Sequence, residues 1–424
     1  MERRCRVVAC SALLLLAGCA ASPPPDSICG TTFQGRTPLQ WAVHIADAEM
    51  DSKGGTPEHQ PGQRGRLGKG TDYANAFWAM ALLRLTVATG DERYRRYAQA
   101  IVSEVVDSAG GDGHGPVPAL IGFNQMLTGR VLIDAMEHDA DARLVQAAHR
   151  FRRALDALPR TNEGVYAYHP GNIIADGLYM TLPFQAQYAL RFGRGEDRDD
   201  VVRQLRVSQQ RLFDPVVGLP RHGWDETGHE RWADPRSGRS PGFWGRGAGW
   251  YMMTVSDTLD YLPFGYDRER AQLVQQLRTL TAALPRWQHP RSGLWHHVPD
   301  KPGHAGNVLE TSSTAMFTYV LAKGINRGHL EAGLRRTTHA AYAGLLRHRL
   351  QVDASGRPHL LYGSNVASLG KVPGQPDPQV YRDGSWTYYM SEGFSADNPH
   401  VIPAFVIASI EMDRLVQTSG CQPR

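Results

Sequence analysis

The sequence predicts an all-α fold, a double-layered (α/α)6 barrel, on three observations. Five segments are apolar on nearly every face and a sixth, from Gly122, is less purely so; about six others are amphipathic, and the two kinds alternate with few strand signals. A helix apolar all round must be enclosed by other helices, whereas an amphipathic one covers them from outside. An inner ring of six helices within an outer ring meets both demands.

The chain begins with Arg3, Arg4 and Arg6, an apolar run from Ala12 to Leu16, and then Ala17, Gly18 and Cys19. This is the layout of a targeting signal, and the run is too short to span a bilayer. Leu16 to Cys19 resembles a bacterial lipobox, in which the peptide before the cysteine is removed and the thiol carries lipid; an ordinary cleaved signal is the alternative. The division expected is a signal at residues 1–18, a tether at 19–35 and one barrel domain at 36–424. The tether's "AASPPPDS" is proline-rich and stiff. Ala20 resembles the residue found in lipoproteins sent to an outer membrane, so the expected location is the cell envelope, facing periplasm or exterior. Cys5 and Cys10 leave with the signal. Cys29 and Cys421 are then the pair open to a disulfide in an oxidising compartment.

Within the barrel the apolar segments are "ANAFWAMALLRL" from Ala74, "GFNQMLTGRVLIDAM" from Gly122, "GLYMTLPFQAQYAL" from Gly177, "GWYMMTVSDTL" from Gly249, "TSSTAMFTYVLAKGI" from Thr311 and "PHVIPAFVIASI" from Pro399. Amphipathic partners fall near 36–50, 91–107, 141–157, 197–212, 267–284 and 330–350. With 42% hydrophobic residues the chain has material for a large core. A net charge of +4 with no lysine or arginine run gives no electrostatic case for nucleic acid.

Three connections are alike: "GVYAYHP" at Gly164, "GLPRHGW" at Gly218 and "GLWHHVP" at Gly293. They are expected to share one rim. Residues 353–385, rich in glycine and proline, form a longer excursion suited to a lid or rim, and Ser52 to Gly70 is a second such segment or simple surface disorder.

At that rim the inner helices present their N-termini, so residues just before them face the barrel mouth. In "IIADGLYMTLPF", Pro183 fits only the first turn of a helix, which sets the expected helix start near it and leaves Asp176 in the preceding turn. Ile173, Ile174, Leu178 and Met180 frame Asp176, and poor solvation there favours a protonated, proton-donating carboxyl. Capping the helix is the alternative use of this aspartate.

The segment from Arg221 to Trp250 holds four of nine tryptophans, with His222, Asp225, Asp234 and Arg246 among them. Such loop tryptophans suit stacking on sugar rings, although Trp250 also fits a core role. Arg246, between Gly245 and Gly247, carries a planar fork that matches a carboxylate beside a helix start. The four glycines from Gly242 to Gly249 are expected to precede that helix. His296 and His297 are adjacent and no histidine pair has i, i+4 spacing, so no metal site is expected. The GxxxxGK pattern of a phosphate loop is absent.

Four blocks, "ADGLYMTLPFQAQYA", "RHGWDETGHERWADPRSGRSPGFWGRGAGWYMM", "GLWHHVPDKPGHAGNVLETSSTAMFTYVLAKGI" and "YRDGSWTYYMSEGF", resemble the unsaturated rhamnogalacturonyl hydrolases of glycoside hydrolase family 105 and the unsaturated glucuronyl hydrolases of family 88. The likeness runs from about residue 37 to 416 and implies an (α/α)6 barrel that needs no cofactor. It implies removal of a 4,5-unsaturated uronic acid from the non-reducing end of lyase-made oligosaccharides, by hydration of the C4=C5 bond. On this resemblance Asp176 is the general acid and base, and His222 contacts substrate beside the double bond. Trp244, Arg246 and Trp250 match the positions that hold the uronate and its ring. Three departures stand out: Asn124 where relatives often carry a second aspartate, Ile174 in place of tryptophan, and Ala248 in place of asparagine. An amide cannot serve as a base, so either Asn124 only binds a sugar hydroxyl or the site has shifted its chemistry.

Two other classes remain open from the sequence. One is a surface sugar-binding lipoprotein that kept the barrel and lost catalysis. The other is another enzyme on the same barrel, a polysaccharide lyase or an inverting glycosidase whose second carboxylate would come from Asp72, Asp225, Asp383 or Glu310.

Overall fold

The computed structural model describes residues 32–53, 73–108, 121–372, 375–377 and 379–418. The expected signal, the lipid-bearing Cys19, Cys29, Cys421, Asp72, and most of both the tether and the Ser52 to Gly70 segment lie outside the described residues.

Twelve helices build two rings: α1 (Pro38–Ser52), α2 (Tyr73–Thr89), α3 (Glu92–Ser108), α4 (Met126–Ala135), α5 (Ala142–Asp156), α6 (Gly177–Phe192), α7 (Gly195–Leu212), α8 (Gly245–Thr258), α9 (Asp267–Thr281), α10 (Thr311–Asn326), α11 (Arg335–His348) and α12 (Val401–Thr418). The even-numbered helices pack each on the next, and α12 closes the ring against α2. Each of α3, α5, α7, α9 and α11 folds back on the inner helix before it, while α1 covers α12. The reason is in the patterning. Helices α8 and α10 bury nearly every residue, whereas α9 buries Leu273, Leu277 and Leu280 on one stripe. Local signals fix several ends: Thr37 and Gln40 form a capping box on α1, Asp141 caps α5, and Gly193 at φ 76° ends α6.

Two expected helix starts are displaced. Helix α6 begins at Gly177, with Asp176 immediately before it, and Pro183 lies inside the helix. The missing N–H of Pro183 deprives the Tyr179 carbonyl of its helical donor, and burial on all sides outweighs that loss. Helix α8 begins at Gly245, so Arg246, Gly247 and Gly249 are helical. Glycine weakens a helix by about 1 kcal/mol relative to alanine. Here its small size admits a neighbour: a Cβ on Gly249 would lie 2.9 Å from Met316 Cβ, and one on Gly245 would lie 3.1 Å from Ser313 Cβ. The two glycines let α8 press against α10.

Short two-stranded ribbons line one rim. The excursion beyond α11 is organised: Leu350–Val352 pairs with Pro358–Leu360, Gly363–Ser364 with Phe394–Ser395, and Gly370–Lys371 with Tyr381–Arg382, with a short helix at Trp386–Ser391.

At the opposite end, Asp257 on α8 is fully buried. Its carboxylate accepts from Arg84 of α2 (3.1 Å), Arg130 of α4 (3.0 Å), Tyr179 of α6 (2.9 Å), and Tyr319 and Lys323 of α10 (2.6 and 2.7 Å). Burial opposes its ionisation, but Lys323, Arg84 and Arg130 outweigh that and hold the carboxyl well below its ordinary range. Asp257→Ala strands these cations, Arg130 and Lys323 being buried. We expect a loss of about 3–5 kcal/mol in denaturant unfolding; a change under about 1 kcal/mol would show that the cluster does not hold the ring.

Candidate active site

The rim ribbons set the geometry of the mouth. Asn172–Ile174 pairs antiparallel with Gly223–Asp225, Ile174 opposite Gly223, and the Ala175 N–H donates to the His222 carbonyl (2.9 Å). Asp176 and His222 therefore leave the end of this ribbon side by side. Asp176 occupies the capping position of α6, but its backbone is helical (φ −68°, ψ −31°) and its side chain makes no capping bond. Asp176 Oδ1 lies 3.4 Å from His222 Nε2. That contact is an ion-pair distance without hydrogen-bond geometry, and both atoms are buried with no hydrogen-bond partner among the described residues. Two facing polar atoms left unpaired mark a place for a ligand atom or water.

Trp244 precedes α8 in extended conformation, and its ring stands 4.9 Å from that of His222. A Cβ on Gly247 would meet the Trp244 ring at 2.9 Å, so this glycine makes room for the tryptophan. Asn124, half-buried, donates to the Tyr168 hydroxyl (3.0 Å), and the Tyr168 ring packs on Phe123. A Cβ on Gly177 would touch both rings, which sets Asn124 and Tyr168 beside the start of α6.

Arg246 and Trp250 are placed differently from the expected substrate contacts. Arg246 is 2% exposed and its two Nη groups donate to the carbonyls of Ser364 (2.6 Å) and Asn365 (2.5 Å). Its guanidinium also lies 5.0 Å from the Trp244 ring. Burial lowers its affinity for the proton, and Glu310 opposes that. The fork that the sequence suggested for a carboxylate is thus occupied by backbone of the excursion. Trp250, one turn deeper on α8, packs 4.7 Å from both Phe77 and Tyr179 and forms the floor of the mouth within the core.

Four residues were not singled out for this site by sequence. Tyr389 bonds His222 Nδ1 (2.7 Å), and its block "SWTYYM" carried no catalytic signature. His297, 1% exposed, packs edge-on against Tyr389 and Phe394 with neither ring nitrogen paired among the described residues. Burial pushes its pKa down to about 4, so it stands neutral at pH 7. Ser364 and Asn365 meet Arg246 through tertiary placement that no local pattern announces.

Glu310, weighed as a second carboxylate, is committed elsewhere. It caps α10 and accepts from Ser312 N (2.8 Å), Ser312 Oγ (2.6 Å), Ser313 N (2.7 Å) and Ser364 N (2.9 Å). Burial opposes its charge, and Arg246 with these donors holds the carboxyl below its ordinary value. Asp225 accepts from Thr227 Oγ1 (2.6 Å) and His229 N (3.0 Å) within its own loop, and Asp383 accepts from Ser385 N (2.9 Å). Among the described residues no three His, Cys, Asp or Glu side chains converge as metal ligands.

Comparison with known proteins gives a consistent picture. The family model Glycosyl Hydrolase Family 88 matches residues 41–416. A protein of Agrobacterium fabrum, Atu3128, is 37% identical over 236 residues, covering 55% of this chain and 97% of its own length. The unsaturated rhamnogalacturonyl hydrolase YesR of Bacillus subtilis is 28% identical over 241 residues, covering 54% of this chain and 63% of that one. A solved glycoside hydrolase of family 105 from C. acetobutylicum superposes with a TM-score of 0.78 at 28% identity, covering 88% of this chain and 99% of that one.

The bracing by Arg246 is directly measurable. A lysine ammonium cannot span two carbonyls as a fork does, and each lost charge-assisted bond is worth about 1.5–3 kcal/mol. In Arg246→Lys, amide exchange is expected to quicken in 363–365 and 394–395 while α9 keeps its protection. Unchanged exchange there would remove Arg246 as the brace.

Proposed function

The chain belongs to glycosyl hydrolase family 88, and on that premise we propose that it removes a 4,5-unsaturated uronic acid from the non-reducing end of an oligosaccharide left by a polysaccharide lyase. The observation that carries this reading is Asp176 at the start of α6, uncapped, with Oδ1 unpaired and facing His222 Nε2. One free carboxyl group suffices for the reaction. Asp176 gives its proton to C4 of the vinyl ether, and the ring oxygen shares the positive charge that develops at C5. The resulting carboxylate takes a proton from water as that water bonds to C5. The hemiketal then opens to a 5-keto sugar, and the hemiacetal left at C1 releases the next residue.

The other roles follow position. His222 lies beside the reacting bond, Trp244, itself buried, backs the His222 ring, and Asn124 with Tyr168 offers polar contacts to a sugar hydroxyl. A substrate carboxylate that engages Arg246 has to replace the carbonyls of Ser364 and Asn365. Trp250 supports the floor. The reading extends to the cell envelope: the run from Leu16 to Cys19 supports lipidation at Cys19, with residues up to 35 as a tether to the membrane and the barrel following.

A panel of unsaturated glucuronyl and galacturonyl disaccharides, followed by loss of the ultraviolet absorbance of the double bond, tests the activity. We expect turnover of at least one, and Asp176→Asn to lower kcat by roughly 10² to 10⁴. No absorbance loss with any of them would leave the barrel a sugar binder; near-normal activity in the variant would take Asp176 out of the chemistry. For the anchor, Cys19→Ala is expected to shift the protein from the detergent phase to the aqueous phase on partitioning. Unchanged partitioning would end the lipidation reading.

A further inference from the structure

We infer that Tyr389 is a positioning residue that fixes the tautomer of His222: its hydroxyl donates to Nδ1, which leaves the imidazole proton on Nε2, pointed at Asp176. This rests on the proposed activity only for its kinetic consequence; the proton placement itself stands on geometry.

Tyr389 Oη and His222 Nδ1 are 2.7 Å apart, and neither side chain is more than 1% exposed. Each residue has a place shaped for it. A Cβ on Gly242 would lie 2.6 Å from the Tyr389 ring, so the first glycine of "GFWGRG" exists to admit that ring. Ser385 Oγ caps the short helix that carries Tyr389 by accepting from the Tyr388 N–H, and the Tyr389 N–H donates to the Ser385 carbonyl (3.1 Å). On the other side, the His222 N–H reaches the Gly242 carbonyl at 3.4 Å. The imidazole is therefore held between the tyrosine and Asp176 with little freedom to turn.

The bond can run in either direction, and two considerations decide between them. A phenol is a far stronger acid than an imidazole N–H, so the shared proton resides on oxygen and points to nitrogen. Burial raises the Tyr389 phenol well above its ordinary range, which keeps that proton in place. Nδ1 of His222 is the partner of this hydroxyl among the described residues, so the reverse arrangement would orphan a buried phenolic proton. With Nε2 protonated, its N–H points toward Asp176 Oδ1 at 3.4 Å.

The consequence concerns roles. A His222 that presents N–H to the mouth can donate to a substrate oxygen or steady an ionised Asp176, and it cannot take a proton from water. Acid and base duties then both fall to Asp176. Tyr389 acts only through the imidazole.

Neutron diffraction from crystals of the deuterated full chain reads the placement without any substrate. A deuteron on His222 Nε2, none on Nδ1, and one on Tyr389 Oη directed at Nδ1 are expected; a deuteron on Nδ1 overturns the inference whatever the enzyme acts on. The kinetic arm uses Tyr389→Phe, which keeps the ring, with whichever unsaturated disaccharide the wild type turns over. Freed from its lock, His222 populates both tautomers, and kcat is expected to fall roughly tenfold or more while KM stays within about threefold. Wild-type kcat in that variant would likewise overturn it, and failure of the activity itself would leave the neutron result standing.

Discussion

The barrel depends on one carboxylate. Asp257 gathers donors from α2, α4, α6 and α10 onto α8, so five of the six inner helices meet at a single buried charge. Apolar packing alone would let such helices slide and rotate, because leucine against alanine has little directional preference. A buried charge has strict partners, and leaving any of them unpaired is costly. The cluster also reaches toward the mouth. Tyr179, which donates to Asp257, is one turn below Asp176 on α6, and its ring packs on Trp250, one turn below Arg246 on α8. The depth and rotation of both site-bearing helices are therefore tied to the ion cluster through an aromatic layer.

Above that layer the mouth uses a second charge pairing for a different purpose. Glu310 and Arg246 both reach Ser364: the carboxylate takes the Ser364 N–H and the guanidinium takes the Ser364 carbonyl. Asn398, ahead of α12, donates to that same carbonyl (3.1 Å). The excursion after α11 is thus pinned at one residue by α8, α10 and the entrance to α12. This places the short helix bearing Tyr389 over the site. A segment rich in glycine and proline, which by composition reads as loose, is held by buried charge.

The legible part of the fold is that which depends on composition along a helix. Segments such as "TSSTAMFTYVLAKGI" have no polar face to turn outward, so their enclosure, and with it the double ring, can be read from residue order alone. Asp176 could be placed at the start of α6 from its position before the apolar run, but its neighbours left capping open, and the proton-donor role came from the family resemblance. What local pattern misjudged were features decided by a neighbour. The start of α8 at Gly245 is set by Ser313 and Met316 on α10, and the tolerance of Pro183 within α6 by burial around it. The bonds of Arg246 to backbone carbonyls more than a hundred positions away likewise lie outside any local pattern. Tyr389 lies in a block that carries the family resemblance, yet nothing local to it points to its partner His222, 167 residues earlier.

The distribution of free and committed carboxylates bears on the chemistry. Hydrolysis by direct displacement at an anomeric carbon uses two carboxyl groups, one to protonate the leaving oxygen and one to act on the opposite face. In this mouth Glu310 is saturated by donors and Asp225 is folded into its own loop, while Asp176 keeps an unpaired oxygen. A 4,5-unsaturated uronide removes the need for a second group. Its ring oxygen already donates into the double bond, so protonation at C4 generates a stabilised cation without a nucleophile pressing from behind. The water that follows needs only the base which that protonation has just produced. Among the described residues, Asp176 with its unpaired oxygen, the His222 imidazole beside it and the aromatic side chains around them supply what this addition requires.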